Sequence, residues 1–430
     1  MMRGIALLLS IAGAWLVARI GADPTPRSMA LALGLALIAA TLTGSQFERA
    51  RLPRVSGYLI FGLLCGPYLA NVITRPMARE LQILNGVAIA LIALIAGLEL
   101  NYAHLKTRLR TMTAFGGLTL LFMYAVLLPV VWAAWPWLPI APALHGLPRL
   151  AVACVATTLV VSFSPTVTIA VLADTRARGP LSETVLAVVV IADLGLIVCF
   201  TLAMQFVRWA SGIGAATDVG LLVRLTWEIF GSFAFGGLLG AVFALYIRYV
   251  GRELTIALLA LCVVFAELGP RLQFEPLLAA LAGGVVIENI GGRGAEGLRA
   301  AVERGSLPVL VVFFAAAGAS LSLEALATVG LAAAALSILR LGLVRSSTLL
   351  AGRLAGVDSA IAHGAWMGLV SQAGVTLGLT ILAAQEFPDW GRRVESLLVA
   401  LIAMHELIGP VLFRYALGRA GEIGRAEAVA

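Results

Sequence analysis

The sequence predicts an all-α polytopic membrane protein, and three observations carry that prediction. Hydrophobic residues fill 61% of 430 positions and charged residues only 12%, with a mean hydropathy of +1.00, whereas a soluble domain is roughly a quarter charged. The apolar residues come in runs of the length that crosses a bilayer core as a helix. Charge, Gly and Pro collect between the runs, which leaves no stretch for a sizeable soluble domain.

In chain order, spans are expected near 3–20, 28–46, 55–73, 81–100, 111–135, 149–173, 183–207, 225–247, 254–268, 274–291, 306–321, 325–351, 359–384 and 396–417. The first run opens with Met1, Met2 and Arg3, as a leader peptide does. No clear small-x-small cleavage site precedes Gly21-Ala22-Asp23-Pro24, so residues 1–27 are read as an extra N-terminal span. The main membrane domain is expected over 28–417, followed by a short cytoplasmic tail at 418–430.

About 13–14 transmembrane helices follow, and fourteen would place both termini on one side. That side then carries eighteen basic residues and the other ten. Positive charge is retained on the cytoplasmic face, so both termini are expected there, in a multi-pass protein of the inner cell membrane. The net charge of +7 is dispersed over short loops and comes from 29 Arg and the single Lys106. It forms no stripe or tail, which argues against a nucleic-acid partner and leaves the lipid bilayer as the surroundings. Cys65, Cys154, Cys199 and Cys262 lie inside apolar runs with no metal-site or disulfide spacing.

An internal echo joins the two halves. Residues 59–66 resemble 280–287, and 96–100 resemble 317–321, both offset by 221 positions. The echo sets a first repeat at about 55–207 and a second at about 274–417, with linker spans at 225–268. In the fourteen-span topology the repeats begin on opposite sides, so they are inverted. Carriers built this way bind their cargo near the midplane, where the repeats meet.

Polar residues are costly within hydrocarbon, so the few present point to function. The span at 149–173 contains Thr157, Thr158, Ser162, Ser164, Pro165, Thr166 and Thr168, and Pro165 removes a backbone donor in mid-membrane. The span at 359–384 contains Ser371, Gln372, Gly374 and Thr376. Two breakable helices at corresponding places expose carbonyls and half-helix dipoles that can hold an ion. Asp193 stands alone in an apolar run, with Arg178 and Arg208 as its nearest basic residues in sequence. Desolvation disfavours an ionised carboxylate, which lets a proton compete with a bare cation for one site.

Arg340, always charged, suits neutralisation of a carboxylate or of a half-helix C-terminus. Glu406 follows His405 near the middle of the last span, but Gly409 stands where a zinc-protease motif needs its second His. A structural ion pair with Arg340 or Arg345 is the role expected of Glu406. The ion and proton site is thus expected at Asp193 with Ser162, Ser164, Thr166, Ser371 and Gln372. Arg340 and Glu406 compensate charge, and the helix breaks fall at Pro165 and Gly374.

Five ordered blocks over residues 28–417 resemble the monovalent cation:proton antiporter family, in its bacterial sodium/proton exchanger and potassium efflux branch. They are residues 57–67, 94–100, the stretch from Ser164-Pro165-Thr166 to Gly179-Pro180, 188–193 and 371–374. The resemblance implies an inverted-repeat antiporter fold with a dimerisation domain and a core domain, and hence a homodimer. In the core two broken helices cross, the fifth-span carboxylate at Asp193 takes the ion, and the tenth-span basic residue is Arg340. It further implies an elevator-type secondary transporter rather than an enzyme, with no cofactor or metal beyond the transported Na⁺ or K⁺ and H⁺.

Two departures from the family pattern bear on stoichiometry. Ala192 replaces the Asp, Asn or Gln that often precedes the ion-binding Asp. The paired carboxylates and later lysine of charge-moving members are also missing. One carboxylate holds either one proton or one monovalent cation, which favours electroneutral exchange. Two other readings stand beside antiport: a transport-inactive membrane sensor or scaffold of the same fold, and an inverted-repeat organic-anion carrier that uses Arg340.

Overall fold

Runs of apolar residues without internal turn signals become helices throughout. The computed structural model describes residues 26–424 apart from 75–76, 78–82, 100–101, 141–143, 213–218, 291–293, 322 and 373. The described residues contain fifteen α-helices and no strand. The first eight are α1 (Pro26–Arg49), α2 (Arg54–Cys65), α3 (Ile83–Glu99), α4 (Tyr102–Ala133), α5 (Gly146–Val161), α6 (Pro165–Thr175), α7 (Pro180–Ala210) and α8 (Val219–Tyr249). The others are α9 (Leu254–Arg271), α10 (Pro276–Ile290), α11 (Gly294–Ser320), α12 (Leu323–Ala355), α13 (Ser359–Gly368), α14 (Gly374–Glu386) and α15 (Pro388–Ala420).

Thirteen of the expected spans correspond to these helices, two of them as broken pairs, α5–α6 and α13–α14. The expected span at 3–20 lies outside the described residues. Among the described residues, seven stretches are long and apolar enough to cross a membrane, and four shorter apolar helices accompany them. The span expected at 55–73 is shorter as a helix and stops at Cys65. Gly66-Pro67 turns the chain there, and the amides of Val72 and Ile73 fold back onto the Cys65 carbonyl.

The chain divides into two compact units, each drawing on both halves of the sequence: Met1–Leu105 with Thr226–Leu321, and Lys106–Leu225 with Ser322–Ala430. Glycine sets the packing within the first. A Cβ at Gly62 of α2 would overlap the Ala315 carbonyl of α11, and one at Gly318 of α11 would overlap that of Leu59. Reciprocally, Gly97 of α3 lies against the Leu281 carbonyl of α10, and Gly284 of α10 against that of Leu94. Small residues let helix backbones approach where no hydrophobic force drives helices together. The segments that echo one another in sequence are therefore exchanged in space, the first of each half packing on the second of the other.

The second unit holds α5–α7 and α12–α15. Here α7 packs against both halves of the first broken span, α5 and α6, and against α13 of the second. α12 and α15 brace these from behind, α12 on α13 and α15, and α15 on α13, α14 and α6. On the outer faces of α4 and α12, Leu121, Leu331 and Ile338 are exposed, as lipid-facing residues are. The Arg149 guanidinium lies 4.3 Å from the Trp132 ring centre, an aromatic–cation pairing suited to the membrane interface.

Candidate ion-binding site

Both broken helices part where the sequence weakens them, and the two breaks meet. α5 ends at Val161 and α6 begins at Pro165, whose fixed φ and missing N–H suit a first helical position. Ser164 caps α6 by accepting from the Val167 amide (3.2 Å), while its own amide donates to the Ser371 carbonyl (2.9 Å). That bond joins the two interruptions. On the other strand of the crossing α13 ends at Gly368 and α14 starts at Gly374, and the Thr168 hydroxyl donates to the Gly368 carbonyl (3.2 Å).

Breaking two helices leaves C-terminal carbonyls without intrahelical donors. Arg340 supplies donors for both sets. Its Nε donates to the Val160 carbonyl (2.7 Å) and Nη2 to that of Ser162 (2.6 Å), at the end of α5. Its Nη1 donates to Val370 (2.7 Å), and Nη2 reaches Leu369 (3.4 Å), at the end of α13. The guanidinium is fully buried. It faces the C-terminal ends of two half-helices, where their dipoles are negative.

Gln372 completes the junction. Its amide nitrogen donates to the carbonyls of Leu159 (3.2 Å) and Val160 (2.9 Å) and to the Ser162 hydroxyl (2.9 Å). The Ser162 hydroxyl also accepts from Thr376 (2.6 Å) and donates to the Leu159 carbonyl (2.8 Å). The donor and both acceptor positions of Ser162 are thereby filled. The Gln372 oxygen lies 2.8 Å from His405 Nδ1, and His405 Nε2 lies 2.8 Å from the Ser337 hydroxyl. An amide oxygen only accepts, so Nδ1 carries the proton and Nε2 accepts from Ser337. Sequence reasoning singled out this fully buried histidine but gave it no place in the junction. Its place beside Glu406 drew attention to metal chemistry, and bonds reaching back 33 and 68 positions leave no local signal.

Asp193 is buried in α7, 2% exposed. Val185 of α7 meets Gly368 at the end of α13, and Asp193 lies about two turns, ~12 Å, further along α7. Thr166 and Ser371, both 4% exposed, lie at the two breaks and keep their hydroxyls outside the Arg340–Gln372 network. A Cβ at Gly409 of α15 would overlap the Ser371 hydroxyl. Glu406 is buried on α15, but the ion pair expected of it is not formed. Among the described residues it pairs with neither Arg340 nor Arg345. Arg340 differs from that expectation because backbone carbonyls occupy its donors. The described residues also contain no cluster of His, Cys, Asp and Glu able to hold a metal ion.

Two interrupted helices crossing at depth, bound to one another through backbone and a buried arginine, define an ion-carrying secondary transporter. The chain belongs to the sodium/hydrogen exchanger family: the family described as "Sodium/hydrogen exchanger, transmembrane" matches residues 33–417, which makes the protein a multi-pass membrane transporter and not an enzyme. Two structures of the sodium proton antiporter MjNhaP1 from Methanocaldococcus jannaschii share its fold. One, at pH 8, has a TM-score of 0.66 at 16% identity, over 92% of this chain and 97% of that one. The other, an electron-microscopy structure, has a TM-score of 0.70 at 16% identity, over 93% and 99%. A search of curated proteins gives no match.

Proposed function

We propose that this protein exchanges one monovalent cation, Na⁺ or K⁺, for one proton, with Asp193 as the site both share. The observation that carries this reading is a buried carboxylate on a helix that packs along both halves of one interrupted span and along the end of the other. A carboxylate buried in largely apolar surroundings is costly as an anion. Taking up either a proton or a cation removes that cost, so the site favours an occupied state on each half of the cycle.

The Arg340–Gln372–Ser162 network serves as the frame, with its donors and acceptors already committed. The hydroxyls of Thr166 and Ser371 lie outside that network and are the side-chain oxygens that join Asp193 in a cation's shell. The unit holding these residues is the ion-carrying body of an elevator-type cycle, and the other unit forms the homodimer, as in the family this chain resembles. An organic-anion carrier needs Arg340 donors free for its cargo, and their engagement by four carbonyls argues against it.

One carboxylate occupied by one monovalent ion at a time carries the same charge both ways. In proteoliposomes, cation-driven proton movement is expected to change less than twofold when a membrane potential of either sign is imposed. A rate that follows the potential would mean unequal charge transfer and a second titrating site.

A further inference from the structure

We infer that Glu422, in the segment after the last helix, is a positioning residue for the ion site, acting through the first turn of α7. The inference rests on the antiport reading above. α15 ends in a glycine turn in which the Gly421 amide donates to the Gly418 carbonyl (3.2 Å) and the Glu422 amide to that of Leu417 (3.1 Å). Gly421 there has φ 66°. This paired pattern reverses the chain at a helix C-terminus. It delivers Glu422 into the turn between α6 and α7, the helices on either side of the ion site.

The fit is specific. One carboxylate oxygen accepts from the Leu181 amide (2.8 Å), and the other accepts from the amide (2.8 Å) and hydroxyl (2.6 Å) of Ser182. These are the orphan donors of the first turn of α7, where the helix dipole also favours negative charge. Backbone bonds fasten the segment on both sides. Arg178 donates to the Glu422 carbonyl (3.1 Å), and Gly424 donates to that of Thr175 (3.1 Å). Gly179 provides the seat. At φ 156° and ψ −177° it occupies a conformation reserved for glycine, and a Cβ there would lie 2.5 Å from the carboxyl carbon of Glu422.

Glu422 is 2% exposed. A carboxyl group so deeply buried needs hydrogen bonds in place of its water, and these three provide them. The consequence reaches Asp193 because α7 is one continuous helix from Pro180 to Ala210. Asp193 lies about 18 Å above Leu181 at 1.5 Å per residue. A helix is stiff along its axis, so fixing its first turn against the end of α6 fixes the depth of the carboxylate relative to the break at Ser164. The segment is thus a strap that sets the geometry of the cation shell, without touching the ion.

The test compares the full-length protein with Glu422→Gln and Gly179→Ala, the second removing the seat from the opposite side. In both variants, hydrogen exchange of the Leu181 and Ser182 amides is expected to rise at least tenfold. The cation concentration giving half-maximal exchange should rise at least fivefold, while turnover at saturating cation stays within twofold. The double variant should go no further than the stronger single one, since both break the same contact. Faster amide exchange with unchanged half-saturation would reduce Glu422 to a tether and overturn the proposal, as would unchanged amide exchange. Should the wild-type protein carry no cation flux, the antiport reading falls, while the exchange measurement still decides whether the strap exists.

Discussion

Replacing Asp193 by Asn is expected to abolish cation-dependent proton movement, at least a hundredfold, while the protein still inserts and stays folded. The amide has the shape of the carboxyl and fills the same buried volume, so packing in α7 is preserved. What disappears is the capacity to alternate between a proton and a cation. The check is cation-induced pH change in everted vesicles beside a thermal melt of the purified protein. The predicted pair is lost exchange with a Tm within a few degrees of wild type. A collapse of Tm would make Asp193 a structural residue.

The second large effect is expected at Arg340, and it differs in kind. Arg340→Ala removes a donor from each of four buried carbonyls at once, and only that of Val160 keeps another, from Gln372. Each buried polar group left unsatisfied costs about 1–3 kcal/mol, against a total stability that is typically about 5–15 kcal/mol. The variant should either fail to accumulate or melt about 10 °C or more below wild type. Arg340→Lys should fall between the two, because an ammonium keeps the charge but cannot span carbonyls from two helix ends. Equal melting of all three proteins would mean that the crossing is held by something else. On these expectations Asp193 and Arg340 separate function from framework: one variant should be folded and inert, the other poorly folded.

How much of this was legible in the sequence depends on the range of the interaction. The helices were readable because apolar runs are local, and both breaks were readable because Pro165 and the Ser/Thr patches weaken a helix where they stand. Asp193 stood out as a lone acid in an apolar run. Arg340 was noticed, but its partners are main-chain carbonyls, which no residue type announces. Thr376 was read only as part of the second breakable patch and Ser337 was given no role, until the fold placed them beside Ser162 and His405. Glu422 gave no signal at all. It lies in what was expected as a short cytoplasmic tail, and the amides it caps lie 240 and 241 positions away. The shortened α2 shows the opposite failure, in which apolar residues beyond Cys65 extended the apparent span past a turn that Gly66-Pro67 dictates.

The most direct test of a carboxylate shared by cation and proton is the half-saturating cation concentration measured as a function of pH. If both ions compete for Asp193, that concentration rises as pH falls, approaching about tenfold per pH unit once the proton dominates, and levels off at high pH where the carboxylate is fully ionised. Maximal turnover at saturating cation should change far less over the same range. A half-saturating concentration that stays constant with pH, with only the maximal rate responding, would contradict a shared site.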